Sequence, residues 1–344
     1  MKQVAIGVAL SGGLDSLVAA CLLKKQGHKV FGIHFKTGYE ALPDTNIADQ
    51  LEIPLHIVDL SIPFKAEVVN YFIQSYQAAK TPNPCLICNP KIKFDLLLKK
   101  AQNLGADLLA TGHYAIIKKD ARGICHLFKG ADPLKDQSYF LARLTREQLT
   151  KACFPLGNWK KKDVMAFAKQ NNLKPVTTKE SQDICFIKKN SYAQFLASQP
   201  GFQSKPGLIE NVHGQVIGEH PGLHHFTIGQ RRGINCPAPA PYYVIRLDRE
   251  KRRLIVGDKK DLLASECIVQ DINWINQIPE SRYKLTTRLR YRHKGTKALI
   301  QLLNSDNKTV RLKFDQPQSA ITPGQGAVFY DGSEILGGGW IEAI

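Results

Sequence analysis

Two groups of residues have the types and spacing that chemistry requires. The first is Ser11-Gly12-Gly13-Leu14-Asp15-Ser16, set between a short apolar run and a stretch with helical spacing. Backbone N–H groups at a helix N-terminus lack intrahelical acceptors and carry partial positive charge, so such a turn can cradle phosphate oxygens. Gly12 and Gly13 let the backbone approach a ligand closely, Ser11 and Ser16 bring hydroxyl donors, and Asp15 can orient a Mg²⁺ held by the phosphates. An ordinary capped strand–turn–helix would use the same residue types. The position after the first strand, where doubly wound sheets bind ligands, favours the cradle. No Gly-Lys-Ser/Thr follows, so the loop is not of the Walker type. The second group is sulfur: cysteines stand at 21, 85, 88, 125, 153, 185, 236 and 267. Cys88 and Cys185 lie in polar segments flanked by Pro or Asp, where a thiolate can act as a nucleophile, and Cys85 forms a Cys-x-x-Cys with Cys88. The other five have no motif around them and read as small buried hydrophobes.

These groups need a scaffold, and the first half of the chain supplies a βαβ rhythm. Val4–Leu10, Val30–Phe35, Leu55–Leu60 and Leu108–Thr111 read as strands. Asp15–Lys25, Ile47–Leu51, Phe64–Ala79, Phe94–Leu104 and Asp163–Leu173 carry helical spacing. That alternation predicts a parallel, doubly wound sheet. The three prolines of TPNPCLICNP, residues 81–90, predict a shaped loop rather than a helix. An irregular stretch is expected from 173 to about 205. Beyond it, short β-type runs separated by Gly, Pro and Asp appear at Gly207–Ile209, Val212–Ile217, Tyr242–Asp248 and Arg253–Val256, with a further set from Tyr283 to Ile344. The expected fold is therefore α/β. A catalytic domain over 1–200 is followed by a small β-rich domain over 201–270 and a C-terminal β-barrel over 271–344.

The 344 residues exceed one ordinary core, and the formal net charge is +17. Residues 1–100 contain no Arg, and most Arg residues fall after 200. Arg forks match phosphate oxygens, so a nucleic-acid partner is the functional reading of this charge, with solubility as its plain counterpart. No apolar run approaches the roughly 20 residues of a membrane span, and no signal-peptide pattern occurs. A cytoplasmic protein without a membrane partner is expected, and a disulfide framework is not.

The phosphate loop resembles the SGGxDS loop of the PP-loop ATP pyrophosphatases, which release pyrophosphate and leave AMP on their substrate. Later motifs narrow the resemblance. They are Thr81-Pro82-Asn83-Pro84 with Cys88-Asn89 and Lys91-Ile92-Lys93-Phe94, Ala110-Thr111-Gly112-His113-Tyr114, and Lys135-Asp136-Gln137-Ser138-Tyr139-Phe140-Leu141. Ser181-Gln182-Asp183-Ile184-Cys185-Phe186-Ile187, residues 225–233 (HFTIGQRRG), Arg290-Tyr291-Arg292 and Thr322-Pro323-Gly324-Gln325 complete the series. In this order they resemble the tRNA-specific 2-thiouridylases over nearly the whole chain.

The resemblance implies ATP-dependent 2-thiolation of the wobble uridine in tRNAs of the Lys, Glu and Gln type. A cysteine desulfurase or a relay of carrier proteins would deliver the sulfur, and a monomer would bind one tRNA. ATP with Mg²⁺ would occupy Leu10, Ser11, Gly12, Gly13, Leu14, Asp15, Ser16, Phe35 and Gly112; for Phe35, simple packing at a strand end is equally open. Cys185 matches the persulfide-carrying cysteine, and Cys88 matches the partner that releases sulfur by forming a disulfide with it. Asn83, Pro84 and Cys85 match the loop that meets the target base. His113, Lys135, Asp136, Gln137, Arg290, Tyr291 and Gln325 match RNA-contacting positions, and Tyr291 between two Arg residues suits base stacking with phosphate contact.

One position departs from the family. Cys85 stands where its members usually carry Asp, and a thiol with a reference pKa of about 8.5 cannot replace a carboxylate of about 3.9. Two routes stay open: a persulfide route with Cys85 as an extra thiol, or a [4Fe-4S] cluster held by Cys85, Cys88 and Cys185. Two rival classes also stay open. A PP-loop enzyme adenylating another base or a small molecule would not need the basic β-rich half. A non-catalytic RNA-binding module would not need the phosphate loop or the cysteines.

Overall fold

The computed structural model describes residues 3–39, 46–176, 184–187, 191–237, 240–276, 282–303 and 306–343. The Ser181-Gln182-Asp183 part of the motif before Cys185 lies outside them. Apolar runs in the first half pair into a parallel sheet in the order Leu55–Asp59, Lys29–Lys36, Ala5–Ala9, Leu108–Ala110, Ala152–Cys153. Ala5–Ala9 is central, and the chain winds first to one side of it and then to the other. The switch point therefore lies between Ala5–Ala9 and Leu108–Ala110, where such sheets open a ligand crevice beyond the strand ends. Two apolar clusters, one on Leu17, Val18 and Leu22, the other on Phe64, Phe72 and Phe94, cover the sheet.

The second half holds two further sheets. Tyr243–Asp248, Arg253–Gly257, Gly207–Asn211 and Val216–His220 form a small four-stranded one. Leu263–Trp274, Val310–Ser319, Thr296–Leu302, Arg282–Arg288, Gly326–Asp331 and Glu334–Ala343 form an antiparallel barrel, closed by pairing of its first and last members. The strand Leu263–Trp274 runs across the expected boundary at 270/271.

Four local expectations are revised. Cys85–Cys88 is a helical turn that leads into a π-wide helix over Asn89–Leu97, not a loop. Its prolines fit, because Pro84 is the N-cap and Pro90 stands at the start of the π-wide segment, where its missing N–H falls at the change of hydrogen-bond register. Tyr192–Ala197, within the stretch read as irregular, is a helix with a Ser191/Gln194 capping box. The strand expected over Val212–Ile217 starts only at Val216, since Asn211 Oδ1 accepts the N–H groups of His213 and Gln215 in a turn. The hairpin Ala115–Lys119/Cys125–Lys129, absent from the sequence reading, extends the barrel by pairing Leu127 and Phe128 with Ile335 and Glu334.

Candidate active site

The phosphate loop follows Ala5–Ala9 directly and enters the helix Leu14–Lys25. Gly12 has φ +85, a left-handed conformation open to glycine at no steric cost. Gly13 is the N-cap without a side-chain cap bond. The loop serines bond within the loop: Ser16 Oγ donates to Gly13 O at 3.0 Å and receives the Ser11 N–H at 3.2 Å. Leu10 is buried, its carbonyl 3.0 Å from His34 Nδ1, so only its backbone can serve a ligand. Phe35, at the end of its strand, is half-buried against the core around Phe64.

Gly112, at the end of the neighbouring strand, has a positional reason. A Cβ there would stand 2.8 Å from Asp15 C and Ser16 N, so only glycine lets this turn lie against the phosphate loop. Next to it, Tyr114 Oη donates to Asp15 Oδ1 at 2.8 Å, and Lys161 Nζ donates to the same oxygen at 2.7 Å. Lys161 thus brings a cation to the loop, a residue the sequence reading missed. Nothing local separates it from Lys160 and Lys162; only the packing of its helix against Leu14–Lys25 does. Asp15 Oδ2 takes part in neither bond, and one carboxylate oxygen with substrate phosphates is an ordinary Mg²⁺ arrangement.

From this crevice a line of contacts leads to sulfur. His113 Nδ1 lies 2.7 Å from Thr111 Oγ1. Burial, then the charge of Lys93, holds its imidazole well below the usual histidine range, so it is neutral. Lys93 acts also on Cys85 and Cys88. In an α-helix, position i+5 would sit about 140° round from Cys88; the i→i+5 π-turn brings Lys93 nearer to line with it. In the sequence Lys93 is one residue of the run Lys91-Ile92-Lys93-Phe94, and its role depends on that turn. Cys85 is open to solvent but crowded by protein, and desolvation, then the Cys185 sulfur, pushes its thiol up to about 11. Cys88 is half-buried and pushed up to about 12 by desolvation, opposed by Lys93 and reinforced by Cys185 and Cys85. Cys185, far away in sequence, is therefore close enough for its charge to act on both. Cys85 and Cys88 are free thiols. Among the described residues, no three His, Cys, Asp or Glu side chains are placed to hold a metal ion. As they stand, these thiols are pairwise neighbours rather than a convergent ligand set.

The barrel braces the cysteine turn. Thr81 N–H donates to Pro323 O at 2.9 Å, and Gln325 Nε2 donates to Thr81 O at 3.0 Å and Pro82 O at 3.2 Å; the second bond is the longer of the pair. Gln325, expected at RNA, thus has its amide nitrogen engaged with the loop. Asn83 and Pro84, expected at the target base, are largely buried, while Cys85 is exposed. Asp136 does not reach the surface: it is 3% exposed, and Arg288 Nη1 donates to its Oδ2 at 2.9 Å. Its Oδ1 accepts Gly130 N–H and Ser138 N–H, both at 3.1 Å. Its neighbours Lys135 and Gln137 are both half-exposed. Tyr291 is half-buried with its ring 4.4 Å from that of Phe140, which leaves less of it for a base than expected, whereas Arg290 is exposed.

Comparison with known proteins accords with this arrangement. Residues 4–189 match a family profile described as a tRNA methyl transferase HUP domain, residues 193–258 a tRNA methyl transferase PRC-barrel domain, and residues 264–341 an aminomethyltransferase beta-barrel domain. Among full-length relatives, a tRNA-specific 2-thiouridylase of Desulfosudis oleivorans is 46% identical over 342 residues, covering 98% of this chain and 95% of that one. A protein of the same name from Geobacter metallireducens is 41% identical, covering 98% and 96%. One from Halothermothrix orenii is 42% identical, covering 97% and 98%.

Proposed function

This chain belongs to the tRNA-specific 2-thiouridylase family, and we propose that it carries out ATP-dependent tRNA thiolation through a persulfide on Cys185 that Cys88 resolves. The observation that carries the reading is the gathering of Cys85, Cys88 and Cys185 around Lys93, whose charge also reaches His113, the neighbour of the Gly112 that packs on the phosphate loop. A methyl transferase would need neither feature.

The uridine C2 oxygen is a poor leaving group. ATP bound at Ser11–Ser16 presents its α-phosphorus to that oxygen; a P–O bond forms, and pyrophosphate departs with the electrons of the broken one. The outer sulfur of the Cys185 persulfide then attacks C2, and the C2–O bond breaks to release AMP. The Cys88 thiolate attacks Cys185 Sγ, forming a disulfide and passing the S–S electron pair to the sulfur on C2. The proton lost by Cys88 is balanced by the one N3 regains as 2-thiouridine forms. A later thiol reductant restores both cysteines. Lys93 supplies positive charge where the sulfur anions form, and neutral His113 can accept or donate a proton beside them. Mg²⁺, held by the triphosphate and oriented by Asp15, would neutralise phosphate charge.

RNA would lie across Lys135, Gln137, His113 and Arg290, with the target base entering at Cys85. Tight dependence on Arg and Lys contacts gives binding that weakens steeply with salt. Wobble uridines of Lys, Glu and Gln tRNAs are the proposed substrates, and a cysteine desulfurase or carrier relay the sulfur donor. Cys85 is a spare thiol in this route. Its place on one turn with Cys88 also suits a [4Fe-4S] cluster reading, but the three thiols would have to shift onto a common centre.

The test is pyrophosphate release from ATP with and without unmodified tRNA, followed by nucleoside analysis. Release that needs tRNA and yields 2-thiouridine supports the reading. Release driven by a small molecule alone would transfer it to another PP-loop class, and tRNA binding with no release would leave only an RNA-binding module.

A further inference from the structure

The segment 131–137 and the phosphate loop are joined by two separate routes that end on one atom. In the first, Asp132 Oδ1 accepts the Leu134 N–H at 3.0 Å, while its Oδ2 accepts the Lys161 N–H at 2.9 Å. Lys161 opens the helix Lys161–Gln170, and its Nζ donates to Asp15 Oδ1 at 2.7 Å. In the second, Gln137 N–H donates to Tyr114 O at 2.9 Å, and Tyr114 N–H returns a bond to Gln137 Oε1 at 3.1 Å. Tyr114, 1% exposed, then donates its hydroxyl to the same Asp15 Oδ1 at 2.8 Å. Each route is one residue whose backbone holds the segment and whose side chain holds Asp15.

We propose that Asp132 and Tyr114 are positioning residues that tie RNA bound at Lys135 and Gln137 to the Asp15 carboxylate, so that tRNA and ATP bind with positive coupling. This rests on the reading of Lys135 and Gln137 as RNA contacts. The sign follows from charge. Asp15 stands in the first turn of the helix whose N-terminal N–H groups face the phosphates, and an unpaired carboxylate there repels them. With an ammonium and a hydroxyl on Oδ1, that repulsion is offset. RNA that orders Lys135 and Gln137 fixes the bonds accepted by the Asp132 carboxylate and the backbone bonds of Tyr114, and with them both donors to Asp15. By linkage, ATP raises tRNA affinity by the same factor as tRNA raises ATP affinity. Two routes meeting on one oxygen form a shared element that both ligands bias, which spatial intermediacy alone would not supply.

The test measures the affinity of a non-hydrolysable ATP analogue with Mg²⁺, without tRNA and with saturating unmodified tRNA. In the wild type, tRNA should tighten analogue binding at least ~5-fold, the lower end of ordinary coupling. Tyr114→Phe, which deletes one oxygen from a buried ring and keeps its packing, should shrink that factor. So should Asp132→Asn, and the double variant should bring it close to one while tRNA affinity without nucleotide stays at the wild-type value. A purely structural role would lower both affinities and leave their ratio alone. Lys135→Ala distinguishes the two levels of the reading. If it leaves tRNA affinity unchanged, the segment is not an RNA contact, and the inference falls with that assignment. If it weakens tRNA binding while the double variant keeps the wild-type coupling, or if the wild type shows none, the inference is overturned and the assignment stands.

Discussion

Replacing Gly324 by alanine should separate the positioning of the sulfur site from nucleotide binding. Gly324 has φ +87, a left-handed conformation that costs an L-residue about 1–2 kcal/mol. A Cβ there would stand 2.9 Å from Thr81 O and 3.1 Å from Thr81 N. Comfortable carbon contacts need roughly 3.5–4.0 Å, so barrel and loop must part by roughly half an ångström or more. Overpacking of this kind costs about 1–3 kcal/mol, which with the backbone term gives about 2–5 kcal/mol at one interface. The bond from Thr81 N–H to Pro323 O lies in that gap, and Thr81 begins the segment that carries Asn83, Cys85 and Cys88. Displacing reacting groups by about 1 Å costs on the order of 10²-fold in rate. Single-turnover 2-thiouridine formation, measured by mass spectrometry of tRNA nucleosides, should therefore fall by on the order of 10²-fold. ATP-analogue affinity should hold, because the Ser11–Ser16 loop does not touch this interface. Gly324→Ala thiolating at the wild-type rate would refute the claim that the barrel positions the cysteine turn, and equal loss of both readouts would refute its separation from the nucleotide site.

Three further outcomes follow from single sites. Arg288→Met removes the partner of a side chain that is 2% exposed, Asp136; breaking a buried pair costs about 3–5 kcal/mol. Because Gly130 and Ser138 still donate to Asp136, the low end is expected from urea unfolding, and adding Asp136→Asn should recover part of the loss. His224 is pushed down to about 4 by burial, then by His225 and His220. Its folded value lies below the unfolded one of about 6.5, so the unfolded chain takes up the proton between them. That stability is complete above about pH 6.5 and lost as pH falls towards 4. The urea midpoint of the four-stranded sheet should drop between pH 7 and 5, and His224→Gln should reduce the drop. Finally, with Cys88 pushed up to about 12, its alkylation by iodoacetamide should climb about tenfold per pH unit between roughly pH 8 and 10 without a plateau. Lys93→Met should slow it at every pH, and an unchanged rate would remove Lys93 from the sulfur site.

The parts of the site that depend on local sequence were legible. The phosphate loop is one contiguous turn after a strand, and Gly12 and Gly13 announce a close backbone approach. The cysteine turn reads as loop when its prolines are counted without regard to their place; Pro84 caps a helix, and Pro90 sits where that helix changes to a π-wide register. What escaped depends on distant pairing. No pattern in residues 115–129 says that this hairpin joins a barrel through Glu334 and Ile335, near the other end of the chain. Asp136 was matched to RNA by position, yet its partner Arg288 comes from the barrel and draws the carboxylate inward. Lys161 is one lysine among three in sequence and the one on Asp15 in space. Gln325 also holds the loop and Tyr291 also packs on Phe140, contacts that residue type alone does not reveal.

The most direct measurement of the account is a single anaerobic turnover. The protein, loaded with a persulfide on Cys185, is given ATP and unmodified tRNA without reductant, quenched by alkylation, and mapped by peptide mass spectrometry beside nucleoside analysis of the RNA. The account predicts one Cys88–Cys185 disulfide for each 2-thiouridine formed, with Cys85 recovered as an alkylated thiol. Thiolated tRNA accompanied by free Cys88 and Cys185, and dependent instead on iron and on Cys85, would contradict it.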